Sequence, residues 1–218
     1  MFRNLIGFLY AIPGVLFALS VHEFSHGYVA YKLGDPTAKN YGRLTLNPIK
    51  HLDIFGAIAM LIVGVGWAKH VPVNTRYFKK YKRDTALVAI AGPLSNVLSA
   101  FVGTLLYYLI IKFIMTLKPD VFLSPLWSGI SEIIVSFIFV NVGLAVFNLI
   151  PIPPLDGSRI VDSFLPQKLL VLYHKYERYI SLILLLVVVS GFVSPYLQMA
   201  INFIVGHIEN IVRLIVRI

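Results

Sequence analysis

Cysteine is absent from these 218 residues. Its absence excludes a disulfide framework and any thiolate metal site, so a bound metal would have to be held by His, Asp or Glu. Charge is scarce as well: 13% of residues are charged and 58% hydrophobic, with a mean hydropathy of +0.80. So few polar groups cannot solvate a globule of this length, which excludes a soluble domain and leaves a single membrane-embedded domain over 1–218. Acidic residues number 10 against 19 Lys and Arg, a net charge of +9. The basic residues flank apolar spans instead of forming a stripe interleaved with aromatics. The expected partner is therefore the lipid bilayer, not nucleic acid. No internal repeat or low-complexity tract is present.

What the chain does have is concentrated in Val15 to Tyr31, which reads VLFALSVHEFSHGYVAY. Within it His22, Glu23 and His26 form a His-Glu-x-x-His pattern inside a segment apolar enough to cross a membrane. Positions i and i+4 share one helix face, so two imidazoles can converge on one ion while Glu23 reaches an activated water. On a helix this is the pattern of a zinc hydrolase with the glutamate as general base. The bland alternative is a wet helix end. Ionisable groups at membrane depth are costly, however, and by default mark function.

Arg3, the apolar run from Leu5 and Ala18-Leu19-Ser20 together imitate a secretory signal. Cleavage is not expected, since the run continues to Leu33 and a cut at Ser20 would strand the histidines. Asn4 to Leu33 reads as one helix with Pro13-Gly14 as a possible kink. Ile54 to Val65 is apolar but too short to span, and Gly56, Gly64 and Gly66 loosen it. It is expected to be a re-entrant loop or β-hairpin beside the site, with an edge strand able to hold a substrate extended; an interfacial helix anchored by Trp67 is the alternative. Thr85 to Met115, interrupted by Ala91-Gly92-Pro93-Leu94-Ser95-Asn96, and Ile130 to Ile150 follow as spans. Ile180 to Val193 reads as the last span, broken by Ser194-Pro195 before a tail. The fold expected is an all-α polytopic membrane protein of about four to five transmembrane helices.

Fourteen of the 19 Lys and Arg residues lie in 32–83 or 159–178. An even number of crossings separates those regions, so both should be cytoplasmic and the linker near Lys118 external. At 1.5 Å per residue, His22 and His26 lie about 9 to 15 Å below Lys32, nearer the cytoplasmic face.

A catalytic zinc needs a third protein ligand and an open position. Lys32 occupies the position six after His26, and no glutamate lies between Glu23 and Glu132, so the two commonest spacings for that ligand fail. His51, Asp53 and Asp156 remain, and spacing alone leaves them open. Asp156 follows Pro151, Pro153 and Pro154, which hold the chain extended at the bilayer boundary. It could equally cap a helix starting near Ser158. His51, His70, His174 and His207 otherwise read as loop or interface residues, and Asn96 as a helix joiner.

His22 to His26, the Asn148 to Asp156-Gly157 segment and Gly92 to Asn96 between them resemble the site-2 protease family of intramembrane zinc metallopeptidases. Gly66 to Asn74 resembles its compact bacterial and archaeal branch. The resemblance runs to about Ser163, which makes 1–165 the catalytic core and 166–218 the C-terminal helices. It implies one zinc per chain held by His22, His26 and Asp156, Glu23 as base, and Asn148 near the scissile peptide, where it could donate to the oxyanion or simply join helices. It also implies a membrane-embedded hairpin at 54–66, a transmembrane protein or peptide as substrate, and a prokaryotic cell membrane as location. His70 and Ile54 stand where the resemblance leads one to expect proline. No stretch is long or polar enough for a PDZ or CBS domain. A zinc-binding transporter and an inactive, protease-like scaffold are the rival readings. The chain's lack of paired repeats argues against the first, and its intact His, Glu and Asp set against the second.

Overall fold

A computed structural model of the chain describes residues 5–63, 66–117 and 119–217. Among the described residues eight α-helices form: α1 (Leu5–Lys32), α2 (Thr37–Asn40), α3 (Ile54–Val63), α4 (Tyr81–Leu117), α5 (Pro125–Asn148), α6 (Asp156–Asp162), α7 (Gln167–Val189) and α8 (Ser194–Val216). No strand occurs among the described residues. Four helices, α1, α4, α5 and α8, are long and apolar enough to cross a membrane. This is an all-α polytopic membrane fold.

Helix α1 ends where the sequence demands it. Gly34 takes φ +107°, Asp35 N–H donates to the Ala30 carbonyl at 2.9 Å, and Gly34 N–H to Tyr31 at 3.1 Å. Only glycine adopts that left-handed turn without strain, and the pair of bonds satisfies carbonyls the helix leaves open. Helices α1, α4 and α5 pack on one another, and α8 lies against α4 and α5. The closest crossings use missing side chains. A Cβ on Gly14 would sit 2.9 Å from Phe137 Cα, and one on Gly103 would meet the Phe137 ring. A core of Ala100, Tyr108, Ile138, Val142, Val205 and Val212 joins α4, α5 and α8.

Three expectations are corrected here. Among the described residues of 54–66 no β-hairpin forms. Ile54–Val63 is helical, and the pairing nearby is a lone bridge between Leu52 and Ala68. The segment still leaves and returns to one place, because Lys69 N–H donates to His51 O at 2.9 Å and a Cβ on Gly56 would collide with the Trp67 carbonyl. The glycines serve that close return and not a strand; Gly64 and Val65 lie outside the described residues. Second, Gly92-Pro93 does not interrupt the span: α4, 37 residues long, runs through Pro93.

Third, the chain from 180 onward is not one span with a tail. Helix α7 carries Lys168, Lys175, Glu177 and Arg178 in its first half, and the helix long and apolar enough to span is α8. Arg213 donates to Tyr108 Oη at 3.0 Å and Lys112 to the Val216 carbonyl at 2.6 Å, so α8 runs parallel to α4. Its start therefore lies at the same end of the bundle as the α5 terminus, and α7 need not cross. Lys118 lies outside the described residues.

Candidate metal centre

His22 and His26 stand one turn apart on α1, facing a stripe of α4 made of Val88, Gly92 and Asn96, spaced four residues apart. His22 Nδ1 lies 2.7 Å from Asn96 Oδ1, and His26 Nδ1 lies 2.7 Å from the Val88 carbonyl. A carbonyl can only accept, so His26 Nδ1 carries the hydrogen. The amide of Asn96 donates to the Ala18 carbonyl and to Asn141 Oδ1, both at 3.0 Å, which turns its oxygen toward His22. Both imidazoles are thereby fixed with Nε2 unprotonated and facing inward. Gly92 makes room, since a Cβ there would lie 2.7 Å from His22 Cε1 and closer still to His26 Nε2.

Asp156 arrives from the other side. It is the first residue of α6, whose N-cap is Leu155, and it makes no capping bond. Its Oδ2 instead lies 3.0 Å from His22 Nε2 and 3.1 Å from His26 Nε2, while the two Nε2 atoms are 3.0 Å apart. Gly157 permits this, its Cα packing on the Leu149 and Ile150 carbonyls. Burial alone would raise the Asp156 carboxyl. The two imidazoles facing it outweigh that effect and hold the group below the usual carboxylate range. Among the described residues, His22, His26 and Asp156 are the one trio whose donor atoms converge, all within 4.8 Å.

The rival candidates are engaged elsewhere. Asp53 Oδ1 accepts from Gly56 N–H at 2.8 Å at the start of α3, and His51 Nε2 contacts the Thr45 carbonyl at 2.8 Å. Asn148 does not join the trio; its Nδ2 donates to Leu144 O in its own helix at 3.0 Å. His174, with Asp162 and Glu177, and His207, bonded to Phe203 O, stand apart.

Glu23 is held by the 66–74 strap. Its Oε2 accepts from Val71 N–H at 2.7 Å, and its Oε1 lies 3.1 Å from His70 Nδ1. That contact raises the His70 pKa above the ordinary value, against the opposing effect of burial. A cavity of about 160 Å³ opens beside these groups, lined by Glu23, His26, His70, Val71, Asp156 and Arg159 among others. Sequence reading missed His70 as a neighbour of Glu23, and missed that Asn96 orients His22 besides joining helices. The four-residue spacing of Val88, Gly92 and Asn96 was the available signal for Asn96. None existed for His70.

Two Nε2 atoms and a buried glutamate from one apolar helix, met by a carboxylate from α6, define a class, that of membrane proteins with a candidate histidine and carboxylate metal centre. Residues 113–191 match Peptidase family M50. Three relatives are named "putative zinc metalloprotease". YwhC of Bacillus subtilis is 41% identical over 193 residues, covering 88% of this chain and 86% of that one. Rip2 of Mycolicibacterium smegmatis is 31% identical, covering 72% and 58%. MJ0611 of Methanocaldococcus jannaschii is 30% identical, covering 72% and 77%. No solved structure matches. The chain belongs to peptidase family M50, the site-2 protease family.

Proposed function

We propose that this protein is an intramembrane zinc metalloprotease, hydrolysing peptide bonds within or near transmembrane segments of membrane proteins. The observation that carries the reading is the convergence of His22, His26 and Asp156 beside Glu23 in helices of membrane-spanning length. The trio suits zinc. Tetrahedral bonds of 2.0 to 2.2 Å place donor atoms roughly 3.3 to 3.6 Å apart, and the three distances here, 3.0, 3.0 and 3.1 Å, lie a few tenths of an ångström inside that range. Two imidazoles and a carboxylate, with the cavity at the remaining side, are the donor set and opening of a catalytic site.

A zinc ion held there would supply a polarised water and a Lewis acid for the peptide carbonyl. The chain's own residues do the rest. Asn96 and the Val88 carbonyl keep the histidines in the one tautomer that can bind. Glu23 accepts a proton from the attacking water and returns it to the leaving amine, a role suited to a carboxylate fixed at both oxygens. Asn148 would donate to the developing oxyanion once its amide leaves the Leu144 carbonyl. Val71, Val73, Phe78, Val88 and Ala89 form the apolar side of the cavity, and Arg159 and His70 belong to its polar side. The basic loops at 32–83 and 159–178 support a site facing the cytoplasm of a prokaryotic cell membrane.

Glu23→Gln tests the reading, since it keeps the shape and removes the base. Zinc content should match wild type, while cleavage of a helical membrane peptide carrying a helix-breaking residue should fall about 10²- to 10⁴-fold. Equal cleavage at equal zinc would remove Glu23 as base. Failure of wild type to cleave any of a panel of such peptides would overturn the protease reading.

A further inference from the structure

The strap at 66–74 is more firmly held than a surface loop needs to be. Lys69 N–H is bound to His51 O at 2.9 Å. The guanidinium of Arg43, itself buried, donates through Nη2 to the Lys69 carbonyl at 2.5 Å and reaches the His70 carbonyl at 3.5 Å. Asn74 N–H donates to Asp35 Oδ2 at 2.7 Å, and Val71 packs into the space left by Gly27. Fixed at both ends, the strap offers Glu23 two partners, one for each carboxylate oxygen. The Val71 partner is backbone and would be made by almost any residue. The His70 partner depends on the side chain, whose imidazole is 74% exposed while Glu23 is 3% exposed.

We propose that His70 is a positioning residue for the reaction, an imidazole that pins one oxygen of the Glu23 carboxylate while the Val71 amide pins the other. This rests on the protease reading above. A carboxylate held at one oxygen can swing about that bond; held at both, its plane is set, and so is the direction in which it meets a water in the cavity. His70 touches neither the metal trio nor the place of the scissile bond, so it acts through Glu23. The groups around it are Glu23 and His26 from α1, Asp156 and Arg159 from the α6 side, and its neighbour Lys69. Among the described residues only Glu23 lies within hydrogen-bond distance of its imidazole. A proline at 70 could not make this contact.

The experiment compares purified wild type, His70→Ala and His70→Gln on the helical membrane peptide, with zinc content measured alongside. Alanine removes the contact, and glutamine restores a side-chain N–H that can reach Glu23 Oε1. His70→Ala should lower kcat about ten-fold, the scale of a modest misorientation, with KM and zinc content within two-fold of wild type. His70→Gln should recover most of the loss. Unchanged kcat in His70→Ala, a change confined to KM, or failure of glutamine to recover the rate would each overturn the proposal. If wild type cleaves nothing, the protease reading fails separately, and the imidazole nitrogen resonances of His70 decide the contact. They should move in Glu23→Gln relative to wild type, and unmoved resonances would overturn the pinning itself.

Discussion

The two ends of the α1–α4–α5 bundle are built from different materials. At one end the interior is polar: Ser20, His22, Glu23, His26, Asn96 and Asn141 are all buried, each with a hydrogen-bond partner. At the other, aromatic rings close the bundle. Tyr107 stacks on Trp127 with centroids 6.1 Å apart, Phe122 meets Trp127 edge-on, and Tyr108 receives Arg213 both at its hydroxyl and over its ring. Burying unpaired polar groups is expensive, so the first end is costly to build and persists because these six residues are matched. The second end carries packing and no chemistry. Damage to the first should therefore cost metal and turnover, and damage to the second stability alone.

The sharpest way to expose that difference is Asp156→Ala. It should lower zinc affinity by more than about 100-fold, beyond the range for groups that only orient a ligand, and abolish cleavage, whereas Asp53→Ala retains the metal. Metal analysis of both purified variants checks this, and zinc lost from Asp53→Ala but kept by Asp156→Ala would break the assignment. Asn96→Ala should act more gently, because the His22 imidazole survives but its tautomer is no longer enforced. A fall in zinc affinity of about 10- to 100-fold is expected, read by competition with a chelator. Affinity equal to wild type would make Asn96 a helix joiner and nothing more.

Smallest is the change at the opposite end. Tyr108→Phe removes the hydroxyl that accepts from Arg213 and keeps the ring beneath it. It should cost about 1 kcal/mol of stability, with zinc content and cleavage rate unaltered. Thermal unfolding in detergent and a peptide assay measure the two together, and a rate that falls with stability intact would dissolve the division between the ends.

Much of this division was legible in the sequence. The His22 and His26 pair follows from helix periodicity, and the end of α1 from Gly34. Asp156 was open by spacing, because three residues could have been the third donor, and only the return of the chain after α5 brings one of them, Asp156, against the two histidines. The misread parts share a cause. Gly56 and Gly66 looked like strand loosening, but their use is to let Trp67 come back against α3, a contact between residues far apart in order and invisible to periodicity. Pro93 looked like a break, yet α4 runs through it with its small residues against the histidine rings. The end of the chain was divided wrongly because the apolar run at 180–193 stands out locally, while the pairing of α8 with α4 through Arg213 and Lys112 has no local sign.

The bare Cα of Gly92 against both imidazoles has a mechanical meaning. Were α4 to slide along α1 or turn about its axis by one position, Ala91 or Pro93 would be driven into the rings, and the Asn96 and Val88 contacts would break in the same motion. Packed interfaces of this kind are bistable, not freely deformable. Helices α1 and α4 thus behave as a single rigid block. Any motion that widens the cavity has to come from parts outside that block, and α3 and α7, neither of which packs extensively on another helix, are the freest of them.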